Sequence, residues 1–178
     1  MNKKQVLDSA GIDNAVSRIA AQILERNKKV SGIAIVGIQR RGDWLARRLA
    51  KAIHDVKNKA IPVGVLDINL YRDDLQSRAD YPIVRTTNIP FDIDGRIVIL
   101  VDDVLYTGRT IRAALDELKD FGRARRIELA VLINRDGREL PIQADYVGEN
   151  VDVGLGRTVV VHVHELDKND NVSIEEVG

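Results

Sequence analysis

The residues best suited to chemistry lie in one stretch, residues 97–110. Five apolar residues lead into two adjacent carboxylates, Asp102 and Asp103, and a short loop then reaches the tetrapeptide Thr-Gly-Arg-Thr at 107–110. From Thr110 onward, apolar residues recur at helical spacing. The amino end of a helix binds phosphate through its unpaired N–H groups, and a glycine there lets backbone approach an anion. Adjacent carboxylates suit sugar hydroxyls or a hard cation such as Mg²⁺. The stretch predicts a site for a sugar phosphate with a metal ion.

The alternative for this stretch is an ordinary strand-to-helix loop whose acids cap the helix. Capping needs one acid directly before the helix. Here two acids lie several residues earlier and are followed by Thr-Gly-x-Thr. The stretch contains neither the Gly-x4-Gly-Lys-Ser/Thr of a P-loop nor the Gly-x-Gly-x-x-Gly of dinucleotide-binding folds. We therefore favour the sugar-phosphate interpretation.

The elements that would position this stretch alternate between strands and helices. Buried strands are predicted at 33–36, 62–71, 97–101 and 126–133, with helices over 12–24, around 45–53 and from Thr110 to about Phe121. This alternation predicts an α/β fold with a parallel sheet, in which ligands bind beyond the carboxyl ends of the strands. The polar loops 37–42 and 102–110 both follow a strand and precede a helix. Both loops should therefore open at the same edge of the sheet.

The remaining segments are less regular. The polar segment 72–80 is interpreted as a mobile loop, residues 81–89 as a returning strand, and 134–139 as a second loop. Residues 158–166 alternate like a strand, which would place His162 and His164 on one face. Two histidines without further ligands favour a surface or interface pair over a metal site.

Composition limits the class of protein. The 178 residues are enough for one domain, or one domain with a small appendage. Lys plus Arg (27) equals Asp plus Glu (27), so net charge gives no overall attraction to nucleic acid or anionic membrane. The chain has no cysteine, which excludes disulfides and thiolate chemistry. No apolar run approaches the roughly 18 residues of a membrane span, and we expect a cytoplasmic protein without a membrane partner.

The stretch 97–110 resembles the phosphoribosyl pyrophosphate (PRPP) motif of type I phosphoribosyltransferases. Extended to Ala114, it is similar to one family in particular, PyrR, the pyrimidine operon regulators that are also uracil phosphoribosyltransferases. Three further segments carry this resemblance: Gly-Ile-x-x-Arg-Gly at 37–42, Asp-Ile-x-Leu-Tyr-Arg-Asp-Asp-Leu at 67–75, and Arg-Glu-Leu-Pro-Ile-x-Ala-Asp-Tyr-x-Gly at 138–148. The resemblance covers nearly the whole chain.

The fold that this resemblance implies is the parallel-sheet type I phosphoribosyltransferase fold with flanking helices and a small C-terminal hood. A single domain would span residues 1–178. Its core would cover about 12–133, and its hood and C-terminal strands about 134–178.

The activity implied by the resemblance is a Mg²⁺-dependent conversion of uracil and PRPP to UMP and pyrophosphate. The acid pair would hold the ribose hydroxyls, residues 106–110 the 5′-phosphate, loop 38–42 the pyrophosphate, and residues 135–137 would lie near uracil. Mg²⁺ would be held by PRPP, with the acid pair nearby, rather than by the protein directly. The implied catalytic residues are Asp102, Asp103, Arg41 and Arg72; the implied binding residues are Arg40, Arg41, Gly42, Val104, Leu105, Tyr106, Thr107, Gly108, Arg109, Thr110, Arg135 and Asp136.

RNA is a further partner implied by the resemblance, because some family members bind a pyrimidine messenger RNA stem-loop under the control of UMP. Residues that fit a basic RNA-binding face are Ser17, Arg18, Arg26, Asn27, Lys28 and Arg138. Where the attenuator pattern carries histidine or basic side chains, this chain has Ala21, Gly137, Gln143 and Glu149. Three functions stay open: a transferase that is also a UMP-responsive regulator, an RNA-binding attenuator as the main role, and a non-catalytic sensor of PRPP or nucleotides. The resemblance also implies a homo-oligomer, either a dimer or a tetramer.

Overall fold

The computed structural model describes residues 3–68 and 87–177 of the chain. Within these residues the strands are β1 (Lys4–Leu7), β2 (Ile33–Ile38), β3 (Val63–Leu66), β4 (Ile97–Leu105), β5 (Arg126–Arg135), β6 (Tyr146–Val151), β7 (Arg157–His162) and β8 (Asn171–Glu176). The α-helices there are α1 (Ser9–Arg26), α2 (Gly42–Lys57), α3 (Arg109–Leu118) and α4 (His164–Asp167). The predictions for residues 69–71, for the loop 72–80 with Arg72, and for residues 81–86 lie outside the described residues.

Five strands pair into a parallel sheet in the order β3-β2-β4-β5-β6. Every residue of β2 is buried, as are residues 98–102 of β4. Strands buried on both faces are typical of parallel sheets that helices cover on each side. The parallel α/β fold expected from the sequence is confirmed.

Helices pack on both faces of this sheet because successive side chains of a strand point to opposite faces. Ile35 and Ile99 pack with residues of α1 and α2 in one core cluster. Val36 and Leu100 pack with residues of α3 in the other. Burying one such side chain contributes about 1.5–3 kcal/mol relative to leaving it exposed. The two clusters therefore hold the carboxyl ends of β2 and β4 in fixed positions.

The predicted helices are present, with small differences at their ends. The helix predicted over 12–24 spans Ser9–Arg26, and the carboxylate of Asp8 caps it by accepting a hydrogen bond from Gly11 N at 2.8 Å. The α-helix α3 ends at Leu118, and a single 3₁₀ turn continues to Phe121.

A second, antiparallel sheet in the order β1-β8-β7 covers residues from both ends of the chain. In the observed sheets, β6 extends the parallel sheet beside β5, and β1 joins the small sheet beside β8. The strand predicted over 158–166 ends at His162, because the chain turns into α4. His162 therefore ends a strand while His164 begins a helix, so the two do not share one strand face.

Among the helices of the described ranges, none combines the length and apolar character needed to cross a membrane.

Candidate active site

The acid pair lies toward the carboxyl end of β4, inside the strand rather than after it. Asp102 is buried and aligns with Val131 of β5, while Asp103 is half-buried. The backbone N–H of Asp103 donates to Asp102 Oδ1 at 2.9 Å, and that of Val104 donates to Asp103 Oδ1 at 2.9 Å. These bonds orient both carboxyl groups before any ligand binds.

Burial raises the pKa of Asp103 above its ordinary value, and this effect outweighs a hydrogen bond with Asp102 and the positive charge of Arg41, which lower it. The protonation of Asp103 therefore depends on a neighbouring acid, Asp102, and on a cation, Arg41.

The loop from β2 to α2 packs directly on the strand that carries the acids. A Cβ added to Gly42 would lie 2.4 Å from the carbonyl oxygen of Val101 and 3.1 Å from Asp102 Cα. Only glycine permits this approach. The loop is also held at Gln39, whose N–H donates to Leu66 O at 2.9 Å. The peptide bond between Gln39 and Arg40 is cis, and the side chain of Arg40 is exposed.

The amino end of α3 faces the same edge. Gly108 precedes the helix with φ +95°, a left-handed conformation that favours glycine, and as the N-cap residue it offers no side chain to the first turn. The N–H of Arg109 donates to Thr107 Oγ1 at 3.3 Å, and the first turn contains no acid. Helix N–H groups and the Thr107 and Thr110 hydroxyls are therefore suited to an anion.

The segment after β5 packs over this loop. The backbone N–H groups of Glu139 and Leu140 both donate to Thr107 O, at 3.0 and 3.1 Å. Arg138 donates to Tyr106 O and, at 2.6 Å, to Asn134 Oδ1. These bonds from the segment after β5 hold the loop between β4 and α3 in place.

Two of the binding residues expected from the sequence have side chains that point elsewhere. Leu105 is buried in the core cluster with α3, so only its backbone can face a ligand. Arg109 forms an exposed ion pair with Glu139, with Nη2 2.7 Å from Oε2. Val104 is half-buried.

Arg135 and Asp136 lie beside Tyr106. The buried Arg135 guanidinium lies 3.9 Å from the centroid of the Tyr106 ring, close enough for a cation–π contact. The Asp136 carboxylate accepts a hydrogen bond from Val153 N at 3.0 Å. Gly137 leaves no room for a Cβ, which would lie 2.5 Å from Tyr106 Cε2. The half-exposed Tyr106 ring thus packs against Arg135 and Gly137.

Comparisons with known proteins place this geometry in a family. A family model described as "Phosphoribosyl transferase domain" matches residues 2–163. The chain is 58% identical over 167 residues to the "Bifunctional protein PyrR" of Roseiflexus sp. (strain RS-1), covering 94% of this chain and 91% of that protein. The chain belongs to the PyrR family. Another member, from Pelotomaculum thermopropionicum, is 53% identical, with 99% of this chain and 97% of that protein covered.

Solved structures support the fold of this PyrR-family chain. A hypoxanthine phosphoribosyltransferase from Staphylococcus aureus has a TM-score of 0.71 at 21% identity, covering 95% of this chain and 89% of that one. The corresponding enzyme of Trypanosoma cruzi has a TM-score of 0.72 at 18% identity, covering 97% and 96%. At such low identity the likeness establishes the type I phosphoribosyltransferase fold.

A carboxylate that the sequence did not indicate lies at the site of this PyrR-family chain. Asp167 accepts hydrogen bonds from the side chain of Arg41, although 126 residues separate the two. No local sequence pattern marks Asp167.

Oxygen ligands for a divalent cation are few at this edge. Within residues 3–68 and 87–177, no group of three or more His, Asp or Glu side chains is arranged to hold a metal ion. Asp102 and Asp103 supply hard carboxylate oxygens, the ligand type that Mg²⁺ prefers, but a complete shell needs further oxygens. The pair therefore fits a cation that is held mainly by a phosphorylated ligand.

Proposed function

We propose that the chain transfers the phosphoribosyl group of PRPP to uracil, releasing pyrophosphate and forming UMP. The observation that carries the proposal is the contact of Gly42 with Val101 and Asp102, at which a Cβ would have no space. It brings an arginine loop, a carboxylate pair and a helix start to one edge of the sheet. PRPP needs these three features together, because it has two phosphorylated positions on opposite sides of a ribose.

The proposed roles follow the chemistry of each group. Asp102 and Asp103 accept hydrogen bonds from the ribose hydroxyls, and residues 106–110 enclose the 5′-phosphate with N–H and hydroxyl donors. Arg40, Arg41 and Gly42 meet the pyrophosphate, where guanidinium groups bind phosphate oxygens through paired donors. Arg135 and Asp136 shape the uracil pocket beside Tyr106. A catalytic role for Arg72, implied by the family resemblance, is also part of this proposal.

Catalysis in this proposal is mostly positioning and charge stabilisation. The bond from C1′ to pyrophosphate breaks with its electron pair on the leaving group, and a uracil nitrogen bonds to C1′ and releases its proton to solvent. Positive charge develops on the ribose ring, near the carboxylates, and negative charge on pyrophosphate, near Arg41. Mg²⁺ bound through PRPP, beside Asp102 and Asp103, would neutralise charge on the leaving group.

The direct test is UMP formation from uracil, PRPP and Mg²⁺. Asp103→Asn should raise KM for PRPP if this carboxylate holds ribose. Both oxygens of a carboxylate accept hydrogen bonds, whereas the NH₂ group of the amide can only donate them. Asp116→Asn is the matched control, since Asp116 lies exposed on α3 and pairs with Lys119. Absence of UMP with the wild type, together with retained PRPP binding, would favour the non-catalytic sensor instead.

RNA binding is the second candidate function, because the similar proteins are named bifunctional. The structure places α1 beside β6, where Arg18 donates to Gly148 O and Arg26 pairs with Asp145 at 2.6 Å. The exposed Glu149 adds negative charge at β6. These contacts occupy two of the cations that an RNA-binding face would use, and we therefore rank attenuation below catalysis.

Filter binding of a pyrimidine leader stem-loop distinguishes the two candidates. Binding should be measured at two salt concentrations, with and without UMP, because each phosphate contact contributes about one unit to the slope of log K against log salt. Tight binding that UMP strengthens would establish the attenuator role. A homo-oligomer, dimer or tetramer, belongs to the same proposal and is tested by light scattering after gel filtration.

A further inference from the structure

Arg41 is contacted by a carboxylate from the far end of the chain. Its Nη2 donates to Asp167 Oδ1 at 3.2 Å, and its Nε donates to Oδ2 at 3.4 Å. Both side chains are partly exposed, Arg41 at 30% and Asp167 at 20%. Arg41 directly precedes Gly42, which packs on Val101 and Asp102, so this contact is made at the edge of the sheet that carries the acid pair.

We propose that Asp167 is a positioning residue that orients Arg41 toward the pyrophosphate of PRPP. The inference rests on the proposed transferase function and assigns a role to a residue outside the PRPP loops. Asp167 itself need not touch substrate. Its effect would be exerted through the direction in which the guanidinium points.

Asp167 is itself rigidly held. Its Oδ2 accepts a hydrogen bond from Val163 N at 2.9 Å, and its own N–H donates to Val163 O at 2.8 Å. His162 Nδ1 lies 3.6 Å from Oδ1. Burial alone would raise the pKa of Asp167, but the Val163 N–H and the Arg41 guanidinium outweigh it, and the pKa is lowered. The carboxylate is therefore charged at neutral pH and fixed in direction.

The segment that carries Asp167 is fastened to α2 at a second point. Arg48 donates to Glu165 Oε2 at 2.6 Å and to Asp170 Oδ1 at 2.8 Å. Arg41 directly precedes α2, and Arg48 lies about two helical turns further along, so both side chains can reach the same side of the helix. These two arginines bind the segment that joins β7 to β8, and Arg41 is the one at the edge of the sheet that carries the acid pair.

The geometry favours a role in which Asp167 orients Arg41 over one in which Asp167 blocks the binding of pyrophosphate to Arg41. A guanidinium carries five N–H donors in one plane, and the contact with Asp167 occupies only the Nε and one Nη2 donor. The remaining donors stay available to phosphate oxygens. Without the carboxylate, a long and partly exposed arginine side chain would sample many rotamers. The opposite hypothesis, that Asp167 competes with pyrophosphate for Arg41, predicts the reverse effect of the same substitution.

The substitution Asp167→Asn tests the proposal, because the amide oxygen can still accept from Val163 N while the charge is lost. We expect KM for PRPP to rise about tenfold, with KM for uracil unchanged. Asp167→Glu, which restores the charge, should recover part of the loss. The matched control is Asp116→Asn, the same change at an exposed carboxylate of α3 that pairs with Lys119, and it should leave KM for PRPP unchanged.

Calorimetric titration with PRPP and Mg²⁺ measures the same effect as a Kd without turnover. An unchanged or lowered KM and Kd for PRPP in Asp167→Asn would overturn the positioning role, even if the wild type makes UMP. A wild type that makes no UMP would overturn the transferase reaction. In that case a weakened Kd in Asp167→Asn, but not in Asp116→Asn, would still support the orientation of Arg41 toward PRPP. Thermal melts of each variant separate these effects from misfolding.

Discussion

The contact between Gly42 and β4 offers a sharp test of how the site is assembled. A methyl group at Gly42 would lie 2.4 Å from the Val101 carbonyl oxygen, whereas ordinary contacts begin near 3.4 Å. Gly42→Ala therefore requires the start of α2 or the middle of β4 to move by about 1 Å. Both partners are backbone atoms of buried elements, so no side chain can rotate to relieve the clash.

The cost follows from this geometry. Overpacking of a well-packed interior costs about 1–3 kcal/mol. For a chain of this length, each kcal/mol corresponds to a change in Tm of about 2–4 °C, so Tm should fall by about 2–12 °C. The same displacement moves the Arg41 loop relative to Asp102. Because a misplacement of about 1 Å can lower a rate about 100-fold, kcat/KM for PRPP should fall between about 10- and 100-fold.

Gly32→Ala is the matched control for this prediction. Gly32 ends a 3₁₀ turn (Val30–Gly32), and a Cβ added there would meet no atom within 4 Å. That substitution should leave Tm unchanged or raise stability by up to about 1 kcal/mol, because it restricts the unfolded chain. Thermal melts followed by circular dichroism and UMP formation at varied PRPP give both measurements. Equal Tm and equal kcat/KM in the two variants would refute the packing of the loop on β4.

Three further predictions concern stability and uracil binding. Burial alone would raise the pKa of the buried Glu128, but hydrogen bonds such as that from the Tyr146 hydroxyl outweigh it and the pKa is lowered. The wild type should therefore have a higher free energy of unfolding than Glu128→Gln above pH 4.5, and this advantage should be lost as pH falls through the lowered pKa. Urea unfolding that gives the same difference in free energy between the two proteins at pH 7 and pH 3 would contradict this. Arg135→Ala removes the cation near Tyr106 and should raise KM for uracil about 2- to 30-fold. KM for PRPP, measured by steady-state kinetics with varied PRPP, should not change. Asp8→Ala removes the cap of α1 and should cost about 0.5–2 kcal/mol in urea unfolding, a loss that Asp13→Ala on the exposed face of α1 should not reproduce.

The elements that the sequence predicted best are those with a strong local pattern. The helix at 12–24 and the strands β2 and β4 carry apolar residues at helical or continuous spacing, and each lies close to its expected position. Such patterns work because the buried face of a helix or strand must repeat with the geometry of that element. Gly108, expected at the amino end of a helix, directly precedes α3.

The elements that the sequence did not predict have weak local patterns. β6 has only Tyr146 and Gly148 buried, and β1 has no fully buried residue, so neither shows the apolar run of an inner strand. Their positions depend on pairing with β5 and β8, which lie elsewhere in the chain. Pairing of this kind is a property of the folded sheet and leaves little trace in a short window of sequence.

By itself, the sequence determined the parts of the site that are contiguous. The order strand, acid pair, glycine and helix start lies within residues 97–110, and the conformations available to such a short segment leave few arrangements. Only the tertiary structure decided how this segment meets the rest. Gly42 touches Val101 because β2 and β4 are neighbours in the sheet, and Asp167 reaches Arg41 because the small sheet folds back over α2. Contacts of this kind depend on the packing of elements far apart in the chain, and the spacing of residues along the sequence does not encode them.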